Sequence, residues 1–163
     1  MKILTITLIL LCIGGAAFYL TQERNTTEIA LYFPLAEENL EPYKNGPVSR
    51  TISNTENIPN TVLLMLFAGP IDTEKAKGFY SPFTKSVRPN PSGKALGAWY
   101  NSVYVSEGTA FVDFSPEALL YLNGPAAEQA VISGAIKKTL EALPDVSEVE
   151  YTFDGEVFTE WDA

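Results

Sequence analysis

Along residues 28–34 apolar and other positions alternate, with Ile29, Leu31 and Phe33 on one face and Glu28, Ala30 and Tyr32 on the other. A period of two predicts a strand, and Pro34 ends it. Residues 37–45 are charged and turn-rich, which predicts a loop. Residues 48–53 are β-branched at Val48, Thr51 and Ile52 and predict a second strand. The run 61–68 is apolar nearly all round, preceded by Asn60 and followed by Gly69-Pro70. That pattern predicts a buried helix with Asn60 as N-cap, stopped where glycine takes a left-handed turn and proline forbids continuation. Residues 73–77 predict one further helical turn before Gly78, and Pro82, Pro89, Pro91 and Gly93 break up the next stretch.

The second half holds further strands and a helix, with no internal repeat of the first. Residues 96–105 predict a long strand with Trp99, Val103 and Val105 on one face. Glu107-Gly108 predicts a tight turn, and 109–114 the returning partner. Gly124-Pro125 opens the clearest helix, in which Ile132, Ala135, Ile136, Leu140 and Leu143 recur at helical spacing until Pro144. Val149, Tyr151 and Phe153 alternate with Glu148, Glu150 and Thr152, and Asp154-Gly155 predicts a type I′ hairpin returning through 156–159. The fold class is α+β: six short, mostly antiparallel strands, with two core helices packed on the sheet.

The first twenty residues follow different rules. Residues 3–20 carry no charge, and only Thr5, Thr7 and the amphipathic Tyr19 interrupt their apolar character. This is the lower limit for a membrane-spanning helix and also fits a signal peptide. Gly15 and Ala17 suit cleavage after Ala17, whereas Phe18, Tyr19 and Leu20 prolong the apolar run and favour an uncleaved anchor. Cys12 follows Leu11 where a lipoprotein signal wants a small residue, so it reads as an apolar helix residue. Lys2 and the amino terminus favour placing 25–163 on the extracytoplasmic side. Residues 1–20 are thus a signal peptide or transmembrane anchor, 21–27 a linker and 28–163 a single domain.

Charge and composition narrow the chemistry. The chain of 163 residues has a hydrophobic fraction of 46%, enough for a core, and a net charge of −9. Residues 1–24 hold Lys2, Glu23 and Arg24, which leaves −10 on the remainder. No basic residue follows Lys138. Such acidity repels nucleic acid and anionic lipid headgroups and keeps a domain soluble. There is no histidine, and the one cysteine lies in the N-terminal apolar run. This rules out a Ser-His-Asp triad, a thiol nucleophile in the domain and an intrachain disulfide.

Several fragments, in order, resemble one family. They are Leu31-Tyr32-Phe33, Val48-Ser49-Arg50, Leu66-Phe67-Ala68-Gly69-Pro70, Glu74-Lys75, Gly78-Phe79, Ala110-Phe111-Val112-Asp113-Phe114-Ser115, Ile136-Lys137-Lys138-Thr139-Leu140 and Asp154-Gly155. They resemble the GerMN domain, named for a sporulation and spore germination protein, over about residues 28–160. The resemblance implies a compact fold like the ring-building modules of bacterial envelope machines. It also implies assembly with other envelope proteins, self-assembly left open, with no known catalysis and no cofactor. A sporulation or germination role is compatible with it, without requiring that the organism form spores. Residues 84–98 exceed the family's usual link, and Glu141-Ala142 stands where the family often has glutamine.

No residue is assigned as catalytic, cofactor-binding or metal-binding. Arg50, Gly69, Pro70, Gly78, Asp113 and Gly155 are taken as family-motif residues with structural work. Asp113 is the most enzyme-like of them, at a strand end, but is expected to cap amides near Ser115-Pro116-Glu117. Glu107 and Glu117 are the nearest partners for a carboxylate-dependent hydrolase. The aromatic-rich middle, with Phe79, Tyr80, Phe83, Trp99, Tyr100 and Tyr104, reads as core or as a recognition patch. Trp99, Tyr100 and Arg88 mark the interaction loop in the second case. The expected function is a non-enzymatic, membrane-tethered interaction module of the envelope. The alternative is a cell-wall carbohydrate-binding protein or hydrolase.

Overall fold

The computed structural model describes residues 26–36, 44–53, 57–83, 94–122 and 124–158. The apolar segment 3–20 lies outside them. Among the described residues, no helix is long and apolar enough to cross a membrane.

Strands β1 (Thr26–Pro34) and β2 (Asn45–Ser53) form an antiparallel pair of their own. β1 takes in Thr26 and Thr27, assigned to the linker from sequence, because both pair with the end of β2 at Ser53 and Ile52. Helices α1 (Ile58–Ala68) and α2 (Asp72–Lys75) follow. A 3₁₀ turn at Leu96–Trp99 leads into β3 (Tyr100–Ser106), which pairs antiparallel with β4 (Thr109–Phe114). A second 3₁₀ turn and a short helix α3 (Leu119–Leu122) precede the long helix α4 (Ala126–Glu141). Strands β5 (Glu148–Phe153) and β6 (Glu156–Val157) complete a four-stranded sheet of order β3-β4-β5-β6.

The mixed α+β class holds, with three corrections. The strands form two sheets rather than one. The β4–β5 pair is parallel, with Val112 opposite Tyr151, because α3 and α4 supply the crossover that a parallel pair needs. Residues 96–99 are not strand. Leu96 and Trp99 are both buried, and a spacing of three brings them to one side of a 3₁₀ turn. Gly97 lets that turn approach α1, since a Cβ there would lie 3.0 Å from the Cβ of Phe67.

Helix α4 joins the two sheets. It packs on β1 and β5, with α1 beside it. Ile132, Ile136 and Leu140 are buried in one core with Phe33, Val112, Phe114, Tyr151 and Phe153. Two bonds fix its setting. The Tyr32 backbone N–H, on the edge of β1 away from β2, donates to Thr139 Oγ1 at 2.9 Å, and the Tyr151 hydroxyl donates to the Ser133 carbonyl at 3.2 Å. The helix thereby covers a strand edge that would otherwise face outward.

The starts of the helices differ from expectation by a residue or a turn. Asn57, not Asn60, caps α1: its Oδ1 accepts the Asn60 N–H at 3.0 Å, and Pro59 sits in the first turn. Asn60 Oδ1 accepts instead from the Tyr100 hydroxyl at 2.7 Å. Pro125 precedes the first residue of α4, and its carbonyl accepts from Glu128 and Gln129. The hairpin turns match the sequence. Glu107 and Gly108, with φ of 51° and 85°, and Asp154 and Gly155, with φ of 49° and 84°, take the left-handed backbone that a type I′ turn requires.

Candidate functional site

The motif residues converge on two side-chain locks. The first ties β2 to the chain after α1. Arg50 Nε donates to Glu74 Oε1 at 3.0 Å, and its second guanidinium nitrogen reaches Glu74 Oε2 at 2.6 Å and the Gly69 carbonyl at 3.1 Å. Glu74 Oε2 also accepts the Ile71 N–H at 2.8 Å, and the guanidinium lies 5.7 Å from the centre of the Phe33 ring. Both charges are nearly buried, with side chains 12% and 9% exposed, so a bidentate geometry is what makes the pair tolerable. The hydrogen bond from Arg50 holds the Glu74 carboxyl below its ordinary range, against the opposing effect of burial. Gly69 and Pro70 supply the turn that presents the Gly69 carbonyl. Gly78 closes the same region, its carbonyl accepting from the Ala36 N–H at 2.9 Å.

The second lock is Asp113. Its Oδ1 accepts from Thr152 Oγ1 at 2.6 Å and from the Gly155 N–H at 2.9 Å, while Oδ2 accepts from Asn101 Nδ2 at 2.8 Å. The expectation that Asp113 caps the amides near Ser115 is therefore corrected. On β4, Asp113 lies in register between Ser102 and Thr152, so its carboxylate meets the β5–β6 turn rather than its own downstream chain. Burial works against its charge, but the bonds from Thr152, Asn101 and Gly155 prevail and hold its carboxyl below the ordinary range.

This geometry gives Asp113 little scope as a general acid, which needs a raised pKa. Glu107 lies in the β3–β4 turn and Asp113 near the far end of β4, with the four extended steps from Thr109 to Asp113, about 13 Å, between the turn and Asp113. A glycosidase pair wants about 5–10 Å. Glu117 lies beyond the strand, its carboxyl lowered by bonds from its own backbone and from Ser115. Among the described residues no group of three or more Cys, Asp or Glu side chains is arranged to hold a metal ion.

The Germane family model, described as sporulation and spore germination, matches residues 30–159. This chain belongs to the Germane family. The tandem GerMN domains of the sporulation protein GerM from Bacillus subtilis share the fold, with a TM-score of 0.56 and 21% identity. That match covers 81% of this chain and 40% of the tandem chain. The first GerMN domain of the same protein aligns with a TM-score of 0.48 and 19% identity over 82% of this chain and 89% of that one. No curated protein matches.

In this Germane domain the interaction loop expected from sequence is divided. Trp99 is 8% exposed and packs beside Tyr121, with ring centroids 6.1 Å apart, so it is core and not an exposed patch. Tyr100 is half-buried against Phe67 and Phe114, and burial pushes its hydroxyl up to about 12. Arg88, with the rest of 84–93, lies outside the described residues. Sequence reasoning named Glu74 only as part of a motif and missed its pairing with Arg50. The signal was an acid in an otherwise exposed turn, but its partner is 24 positions away. Phe111 was likewise read only as part of a strand motif.

Proposed function

We propose that this Germane-family domain is a non-enzymatic protein-interaction module of the bacterial envelope, held or delivered outside the cytoplasmic membrane by residues 3–20. The observation that carries the reading is Asp113. The most enzyme-like residue in the sequence spends its carboxylate oxygens on three donors that close a hairpin. A role in sporulation or germination is supported by the description of the family. The net charge of −9 supports a protein partner over nucleic acid or anionic lipid.

Capture of the full chain from detergent-solubilised membranes tests this. The proposal expects a defined envelope protein to be retained, and retained equally by Asp113→Asn at a temperature where that variant is folded. Release of soluble fragments from purified cell wall by the wild-type chain, abolished in folded Asp113→Asn, would overturn it in favour of a hydrolase.

A further inference from the structure

Among the described residues the outer face of the four-stranded sheet is exposed at Tyr104, Glu148 and Val157, part-exposed at Phe111 and Glu150 and buried at Thr152, and register fixes its composition. One row across it is Tyr104, Phe111 and Glu150; the next is Ser106, Thr109 and Glu148; on the other side lie Ser102, Asp113, Thr152 and Val157. The inner face takes Val103, Val112, Phe114 and Tyr151 into the core, so this outer face has no share in it. Tyr104 is nevertheless an aromatic ring 56% exposed, and Val157 is 55% exposed. The Tyr104 and Phe111 rings stack at 4.9 Å between centroids and 14° between planes.

The charge on this face has one sign. From Tyr100 to Phe114 and from Glu148 to Val157 there is no lysine or arginine, while Glu107, Asp113, Glu148, Glu150, Asp154 and Glu156 all fall in these segments. Among the described residues neither Glu148 nor Glu150 has a salt-bridge partner. The aromatic stack is thus bordered by carboxylates, with no cation on the strands to balance them. A flat π face with a negative rim attracts a guanidinium or ammonium group through both the ring quadrupole and the carboxylates. A second copy presenting this face would meet like charge, and an anionic glycan or lipid would be repelled.

We propose that Tyr104 and Phe111, with Glu148 and Glu150, form the docking face for an arginine- or lysine-rich segment of a partner protein. This deepens the proposed interaction role and rests on it. Tyr104 is the central contact, and the two glutamates select a cationic segment.

The test is a titration of the detergent-solubilised full chain with a synthetic Arg-Gly repeat peptide and, separately, with a chitooligosaccharide. The peptide is expected to bind in a salt-sensitive way. Tyr104→Thr, which keeps β propensity, and the double variant Glu148→Gln/Glu150→Gln should each weaken it about fivefold or more. A charge-matched control, Glu28→Gln/Asp72→Asn, changes acids on other elements and should leave binding nearly unchanged. No peptide binding, equal weakening by both double variants, or oligosaccharide binding that needs Tyr104 but not the glutamates would each overturn the assignment. If the peptide fails while membrane capture of a partner succeeds, this face is wrong and the interaction role stands; if capture also fails, both fall.

Discussion

The carboxylate of Asp113 accepts the backbone N–H of Gly155 at 2.9 Å, across 42 positions of sequence. Gly155 has a φ of 84°, so its amide is aimed by a left-handed turn that other residues adopt with strain. Strand end and hairpin turn are thus one unit. Asp113→Asn keeps an acceptor but sets an NH₂ group against the Asn101 amide and removes the charge. It should cost about 1–2 kcal/mol, since the site is partly solvated. Thermal melts of wild type and variant measure this; an unchanged melting temperature would show that the hairpin closes without the carboxylate.

The Arg50–Glu74 lock should be the more expensive one to break. Removing one member of a buried pair leaves the other charge uncompensated, at about 3–5 kcal/mol. Arg50→Ala is therefore expected to destabilise the domain strongly. Arg50→Lys should restore little, because an ammonium cannot make the fork that reaches both Glu74 oxygens and the Gly69 carbonyl. Denaturant unfolding of the two variants distinguishes this from simple charge loss, in which Lys would rescue.

Both locks predict the same response to acid. Glu74 and Asp113 have carboxyls held below their unfolded values of about 4.3 and about 3.9. A depressed folded pKa contributes stability that is fully present above the unfolded value and is lost as pH falls through the folded one. Stability should hold from neutral pH down to about pH 5 and then fall as both groups protonate. In Arg50→Ala, where Glu74 loses the largest of the influences that favour its ionisation, the drop between about pH 4.5 and pH 3 should be shallower. Melting temperature measured against pH in both proteins checks this.

Ile136 is fully buried and Lys137, one residue on, has a side chain 57% exposed and a loose 3.7 Å contact with Glu141. Ile136→Ala should cost about 2–5 kcal/mol, and Lys137→Ala less than about 0.5 kcal/mol. Equal small effects in a chemical denaturation series would mean that α4 does not seat on β1 and β5 in this way.

The elements read most directly were those fixed by local chemistry. The period of α4, the alternation in β1 and β5, the tight turn at Glu107-Gly108 and the type I′ turn at Asp154-Gly155 follow from residues a few positions apart. The parallel β4–β5 pairing did not, because register between strands separated by a helix depends on the crossover and not on either strand's pattern. The 3₁₀ turn at Leu96–Trp99 was hidden because a spacing of three between two apolar residues is easily absorbed into a strand containing Val103 and Val105. At the candidate site, the identities of Arg50, Gly69 and Asp113 were legible from the family motif. Their pairings with Glu74, Thr152 and Asn101 were not, since only folding brings these side chains together.

The proposed role puts the domain in contact with protein partners outside the cytoplasmic membrane. The most direct measurement treats intact cells producing the full chain with a membrane-impermeant amine crosslinker, for which the exposed Lys75 and Lys137 are ready targets. Adducts of higher mass, containing this chain and another envelope protein, are expected to form before the cells are broken. Adducts that form only after lysis, with none in intact cells, would contradict it.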